Sequence, residues 1–167
     1  MTAIHGAYSE SERSLIATLD TPIPNDLPQP YLWKVLVMPI GNPGKTSGGV
    51  WLTETSNEEQ MWTHGIGRVA AIGPLAFRSG GFARMIRDGV YDPAVHAPKV
   101  NDLVVFNPKS PNKITYAGRL FQQISDDEIS MTVEEHQAEN FEFGGMKLFR
   151  QNPAPRPSTL SVAGGAP

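Results

Sequence analysis

The sequence predicts an all-β protein with one domain and irregular arms at both ends. Short apolar runs rich in β-branched and aromatic residues recur between residues 32 and 133. The chain contains 16 glycines and 15 prolines, which is typical of a protein with many turns. Its 167 residues fit a single domain with extensions.

The composition excludes several classes of partner. The formal net charge of −3 provides no basic field for nucleic acid. The chain has no cysteine, which excludes disulfides and thiolate metal sites. No apolar run approaches the roughly 18 residues that a membrane-spanning helix needs. We therefore expect no nucleic-acid partner and no membrane partner.

The N-terminal arm, residues 1–30, is predicted to lie outside the β domain. Ser9 and Glu12 have the spacing of a capping box, and Leu15, Ile16 and Leu19 follow as a short helical stripe. Four prolines between residues 21 and 30 then indicate an extended linker. We expect either a disordered leader that makes few core contacts or an arm that docks on a neighbouring subunit.

Two predicted strands, residues 32–38 and 62–72, enclose a long loop. Gly65 and Gly67 in the second strand suggest a bulge or a close backbone approach. The loop between the strands is rich in glycine and proline and continues into a polar tract. A connection of this length within a compact domain is usually functional or disordered.

The loop contains one apolar island, Val50-Trp51-Leu52, directly after Gly48-Gly49. A tryptophan between two aliphatic residues on such a tether has no local core to bury it. The island therefore predicts burial by a partner. Gly44-Lys45-Thr46 in the same loop does not make a nucleotide-binding P-loop, because Pro39 occupies the position of the first glycine.

The second half of the chain predicts a helical turn followed by further strands. Residues 82–87, ended by Gly89, can form the helical turn within the long connection 73–98, where His96 is an ordinary loop residue. The acidic residues 126–128 are predicted to be a solvated turn. Predicted strands cover residues 103–106, 113–116, 120–124 and 129–133, with a possible short strand at 146–150. The expected core consists of Val35, Val37, Val69, Ile72, Leu103, Val105, Phe121, Ile124, Ile129 and Met131.

The order of these segments resembles the GroES-type co-chaperonins over about residues 31–136. The matching segments are Lys34–Val37, Thr46–Thr53, Gly67–Gly73, Lys99–Asn107 and Leu120–Val133. The resemblance implies a GroES-like, partly open β-barrel with a long flexible loop, a long roof insertion at 73–98 and irregular terminal arms. In that family a hairpin forms the roof. The expected domains are the arm 1–30, the barrel 31–136 and the C-terminal extension 137–167.

The resemblance also implies a function. Seven copies would form a ring that acts as the lid of a GroEL-type chaperonin, with Gly48, Gly49, Val50, Trp51 and Leu52 as the partner-binding residues. Such a chain is not an enzyme and needs no catalytic residue, cofactor or metal. The long arms and roof insertion suit a bacteriophage-encoded lid that assists capsid protein folding in the cytoplasm of the bacterial host.

A structural role is the alternative function. The same barrel could be a decoration or cement protein of a virion capsid, with the major capsid protein as its partner. Arms that reach across neighbouring subunits favour this alternative. The island Val50-Trp51-Leu52 favours the lid, because a decorating protein has no use for that loop chemistry.

Overall fold

A computed structural model describes residues 15–41, 65–108 and 112–138, together with residues 140, 142–143 and 146–147. Six of its strands form one antiparallel sheet, which confirms the all-β prediction. These strands are β1 (Lys34–Pro39), β2 (Gly65–Ile72), β3 (Leu103–Phe106), β4 (Lys113–Tyr116), β5 (Arg119–Ser125) and β6 (Ile129–Val133). Their spatial order is β4-β5-β1-β2-β3-β6. Strands β7 (Glu142–Phe143) and β8 (Met146–Lys147) pair separately.

Helices are few and short in the described part of the chain. They are α1 (Gly81–Arg87), α2 (Pro93–His96), α3 (Glu135–Ala138) and a 3-10 helix at Asp126–Glu128. The predicted helical turn at 82–87 is confirmed as α1. The connection 73–98 therefore contains two helices, α1 and α2, where the resemblance implied a hairpin. Its assignment as a roof stays a prediction.

Strand β1 is central because it pairs on both sides. Val35 lies opposite Ile72 of β2 and opposite Ile124 of β5. All residues of β1 after Lys34 are buried, as a near-continuous apolar run predicts for a strand covered on both faces. A β-bulge between Leu36 and Val37 shifts the pairing with β2.

Two glycines allow the backbones around β2 to approach closely. A Cβ atom on Gly67 would lie 2.6 Å from a methyl carbon of Val37 and 2.7 Å from the carbonyl oxygen of Met38. At the other end of β2, a Cβ atom on Gly73 would lie 2.3 Å from the carbonyl oxygen of Leu32. Neither position has room for a side chain. The predicted close approach is confirmed.

The predicted core is largely confirmed. Met131 is the wrong member, with 51% of its surface exposed. It lies on β6, an edge strand that pairs only with β3 among the described strands, so one flank of Met131 has no strand beside it. Ile72, Val105 and Ile129 are half-buried. The fully confirmed members are Val35, Val37, Val69, Leu103, Phe121 and Ile124.

The expectation that the N-terminal arm makes few core contacts is wrong for residues 15–30. Ala17 and Leu19 are buried, and Ala17 forms a parallel bridge with Ile40. Residues 15–19 are not helical. The buried side chains Ala17 and Leu19 are two residues apart, which is the spacing of side chains on one face of an extended backbone. The domain boundary at residue 30 stays a prediction.

The expectation of a solvated turn at 126–128 is wrong for Asp126. This residue is buried, and one of its carboxylate oxygens accepts a 2.8 Å hydrogen bond from the backbone N–H of Phe77. Phe77 has a φ of 61°, an unusual value for a bulky side chain. Asp127, next in sequence, is exposed as expected. The acidic run thus has a structural role that joins the 73–98 connection to the end of β5.

Aromatic rings hold the 73–98 connection against the core. Phe77 is buried and meets Phe82 edge to face at 5.9 Å between ring centroids. Phe82 contacts Tyr91 at 5.5 Å, and Tyr91 stacks on His96 at 5.7 Å. Burial raises the pKa of the Tyr91 hydroxyl, and the negative charge of Asp126 raises that pKa further. These rings pack α1 and α2 although neither helix has a buried residue.

Candidate functional site

The predicted partner-binding residues Gly48, Gly49, Val50, Trp51 and Leu52 lie outside the described residues. The structure does show where the segment that carries them begins and ends. That segment, residues 42–64, leaves the sheet at the end of β1 and returns at the start of β2. We call the residues at these two ends, Pro39–Gly41 and Gly65–Gly67, the loop root.

The loop root is firmly bonded to its neighbours. Pro39 lies opposite Gly67 in the β1–β2 pairing, and the N–H of Ile40 donates a 2.9 Å hydrogen bond to the carbonyl oxygen of Ile66. The N–H of Gly41 donates another 2.9 Å hydrogen bond to the carbonyl oxygen of Ala17. Both ends of the segment are therefore attached to adjacent antiparallel strands, and the N-terminal arm supports one of them.

The position of the root limits how far the apolar island can extend from the sheet. Val50 is the ninth residue after Gly41, and Leu52 is the thirteenth before Gly65. Nine extended residues span at most roughly 30 Å. Val50 therefore lies within roughly 30 Å of Gly41.

An apolar cluster lies beneath the loop root. It joins the N-terminal arm, both strands of the root and the elements that follow β2. Burying one aliphatic side chain of this kind contributes about 1.5–3 kcal/mol. Because the arm supplies Leu19, the root depends on a segment far from it in sequence. The cluster comprises Leu19, Ile40, Ile66, Leu103, Val133 and Ala138.

Arg68 ties three segments together beside this cluster. Its guanidinium donates a hydrogen bond of 2.9 Å to the carbonyl oxygen of Leu19 and one of 3.1 Å to that of Asn101. It also forms an ion pair with the carboxylate of Glu135 on α3. The Arg68 side chain is 7% exposed and the Glu135 side chain 52%. The hydrogen bond to Leu19 is buried and that to Asn101 is partly buried, so the Leu19 bond matters more than the half-exposed ion pair.

An open groove of about 910 Å³ lies between the N-terminal arm and β2. Its floor includes Ala70 and Ala71, and its walls include Ile23 and Leu27 of the arm. Two further bonds hold the arm in place around it. Gln29 donates from its side-chain nitrogen to the carbonyl oxygen of Ile72, and the Tyr116 hydroxyl donates to that of Asp26.

Sequence reasoning missed the arm and Arg68 as parts of the root. The alternation of Ala17 and Leu19 with polar Thr18 was a usable signal for extended backbone. The signal for Arg68 was a single charged residue inside an otherwise apolar strand, which requires a buried partner. The carbonyl oxygens that it binds could not be identified from sequence, because they belong to backbone groups distant in the chain.

The described residues show no arrangement for metal chemistry. Within residues 15–41, 65–108 and 112–138, no three histidine or carboxylate side chains come together as metal ligands would. Over the same residues, no helix has both the length and the apolar character to cross a bilayer.

The described residues thus define an all-β protein in which one end of an antiparallel sheet holds both ends of a long segment. No family model matches the chain. Over 92 residues the chain is 26% identical to a protein named co-chaperonin GroES from Aquifex aeolicus (strain VF5). The match covers 55% of this chain and 64% of that protein, so the chain spans less than two thirds of this relative's length. This similarity supports a distant GroES-like relationship.

Proposed function

We propose that the chain is a co-chaperonin that binds a GroEL-type chaperonin and acts as its lid during protein folding. The observation that carries the proposal is the similarity to a GroES co-chaperonin over 92 residues. The loop root adds support, because it presents both ends of the segment with Val50-Trp51-Leu52 from one end of the sheet. In the proposal Gly48 and Gly49 let this segment adapt its backbone to the chaperonin, and the three apolar residues are buried there.

The energetics favour several copies acting together. Burying one valine or leucine contributes about 1.5–3 kcal/mol, whereas ordering each loop residue costs about 1–2 kcal/mol. A single segment would therefore bind weakly. Several segments on one ring bind at a high effective concentration and still separate when the partner changes shape. A seven-fold ring of this chain meets that requirement.

In this proposal the chain binds the chaperonin and catalyses no reaction. The chaperonin hydrolyses ATP, and the lid closes its cavity around a folding protein. The site of action is the cytoplasm of a bacterial cell. An origin in a bacteriophage, with capsid proteins as the folding substrates, stays a prediction. The comparison with GroES supplies no support for the alternative of a capsid decoration protein.

Native mass spectrometry of the full chain tests the proposal. The chain is measured alone, with a GroEL-type chaperonin, and with the chaperonin and ATP. We expect a seven-fold ring that joins the chaperonin in the presence of nucleotide. A chain that never joins the chaperonin overturns the proposal. Co-sedimentation with purified capsids in a parallel sample would identify the decoration role.

A further inference from the structure

The groove between the N-terminal arm and β2 combines an apolar surface with room for an occupant. Ala70 and Ala71 are small, so the backbone of another segment could lie close to β2 there. Ile23 and Leu27 of the arm are half-buried, and Val100, which also lines the groove, is 54% exposed. The volume of about 910 Å³ lies within the range of about 300–1,000 Å³ that is usual for ligand sites.

The charged residues that line the groove make it acidic. Asp20 and Asp26 of the arm and Glu135 of α3 contribute three carboxylates, and all three residues are exposed. Among the described lining residues the one cation is Arg68, whose guanidinium already donates to two backbone carbonyl oxygens and pairs with Glu135. Three carboxylates and one guanidinium leave a formal charge of −2. The groove therefore favours a cationic occupant.

Three longer segments of the chain lie outside the described residues, and their charges differ. Residues 1–14 contain two glutamates and one arginine, and residues 42–64 contain three glutamates and one lysine. Residues 148–167 contain two arginines, Arg150 and Arg156, and no acidic side chain. Of the three, the C-terminal segment is thus the one whose charge is opposite to that of the groove.

The composition of this C-terminal segment also suits a narrow apolar groove. Pro153 and Pro155 lie between its two arginines, and Leu148-Phe149 lies just before them. Proline favours an extended backbone, so such a segment loses less conformational entropy when it binds. The adjacent leucine and phenylalanine supply apolar side chains for contact with the arm.

The path of the chain brings the start of this segment near the groove. Glu135 lines the groove, and α3 ends at Ala138, which is buried in the cluster beneath the loop root. Glu142 is the fourth residue after Ala138, and it pairs with Lys147 across the β7–β8 strands. These two steps place Lys147 within roughly 20 Å of Ala138. The segment 148–167 therefore begins close to α3.

We propose that residues 148–157 bind in the groove of the same chain, with Arg150 and Arg156 paired to its carboxylates. The bound segment covers the two alanines of β2 and joins α3 to the N-terminal arm. Because Leu19 lines the same groove, the bound segment also supports the loop root. The proposal does not depend on chaperonin binding, and its tests contain no chaperonin.

Zero-length cross-linking tests the position of the segment. Arg156→Lys keeps the positive charge and introduces an amine that a carbodiimide couples to a carboxylate in contact with it. Chains with light and heavy nitrogen are unfolded, mixed and refolded together before coupling, and mass spectrometry identifies the linked peptides. We expect the introduced lysine to be linked to Asp20, Asp26 or Glu135, in peptide pairs that are both light or both heavy.

Exposed carboxylates outside the groove, Asp88 and Asp127, provide the comparison for this experiment. Equal linkage to these residues and to the groove would mean that the segment has no preferred position, which overturns the proposal. The absence of any link to the groove carboxylates also overturns it. Pairs of one light and one heavy peptide would place the segment on a second copy and overturn its assignment to the same chain.

Charge reversal provides an independent test. Arg150→Glu combined with Arg156→Glu should repel the segment from the acidic groove. We expect the backbone amides of residues 15–29 to exchange hydrogen about fivefold faster, as measured by mass spectrometry. The matched control is Arg84→Glu combined with Arg87→Glu, which changes the net charge equally at exposed positions of α1. Equal exchange of the arm in the two double variants would contradict the proposed contact.

Discussion

The guanidinium group of Arg68 donates a hydrogen bond of 2.9 Å to the carbonyl oxygen of Leu19. The two residues are distant in sequence, and their contact joins β2 to the N-terminal arm. The side chain of Leu19 turns into the cluster beneath the loop root, where it is 2% exposed. The arm is thus part of the structure that holds the segment 42–64, and this relationship can be tested through stability.

Leu19→Ala should lower the free energy of unfolding by about 2–5 kcal/mol, because it removes a buried side chain and leaves a cavity. Urea denaturation followed by circular dichroism measures the change. Val95→Ala, at a 70% exposed position, is the control and should change stability by less than about 0.5 kcal/mol. An unchanged midpoint for Leu19→Ala would show that the arm is dispensable for the fold.

Arg68→Met and Glu135→Gln should destabilise the protein to different extents. Arg68→Met leaves the buried carbonyl oxygen of Leu19 without its donor, at a cost of roughly 1–3 kcal/mol. It also removes the partly buried hydrogen bond to the carbonyl oxygen of Asn101. Glu135→Gln removes one charge from a half-exposed pair and should cost less than about 1 kcal/mol. Thermal melts of both variants supply the comparison. A larger loss for Glu135→Gln would mean that the ion pair dominates.

Gly73→Ala should be strongly destabilising. Its new Cβ atom would lie 2.3 Å from the carbonyl oxygen of Leu32, a backbone atom that cannot move without disturbing the start of β1. Gly81→Ala is the matched control, since a Cβ atom there meets nothing within 4 Å and Gly81 begins α1. That change should stabilise the protein by up to about 1 kcal/mol. Differential scanning calorimetry measures the melting temperatures of the two variants. Similar melting temperatures would contradict this prediction.

The strands were predictable from sequence because each has a local signal. Val35 and Val37 belong to an apolar run that predicts a buried strand, and both are fully buried. The position of Gly67 inside a strand predicted a close approach of two backbones. These features depend on neighbouring residues alone, so a single sequence shows them.

The features that sequence reasoning missed depend on residues far apart in the chain. Asp126 looked like part of a solvated acidic turn, yet it binds the N–H of Phe77. Leu19 looked like part of a helical stripe, yet its burial depends on Ile66 and Val133 in other elements. Tertiary contacts of this kind leave no pattern in the neighbouring sequence. Arg68 and Asp126 are buried because of such contacts. The partner-binding role of Trp51 likewise stays a prediction.

Trp51 provides a direct test of the proposed lid function. If Val50-Trp51-Leu52 is buried by a chaperonin, Trp51→Asp removes a large apolar contact and places a charge in the interface of every subunit. Chaperonin binding should then be lost, as measured by surface plasmon resonance on immobilised chaperonin with ATP. The melting temperature of the free protein should stay nearly unchanged, because substitution of a side chain that is exposed in the unbound protein has little effect on stability.

The matched control for Trp51→Asp is Val95→Asp, which adds the same charge at an exposed position of α2. This variant should retain both its stability and its chaperonin binding. The opposite result for Trp51→Asp would be a loss of several kcal/mol in the free protein, as expected if the indole packs against its own sheet. In that case the tryptophan belongs to the core, and the partner-binding assignment of residues 48–52 is wrong. Measuring the melt and the binding on the same preparation separates these outcomes.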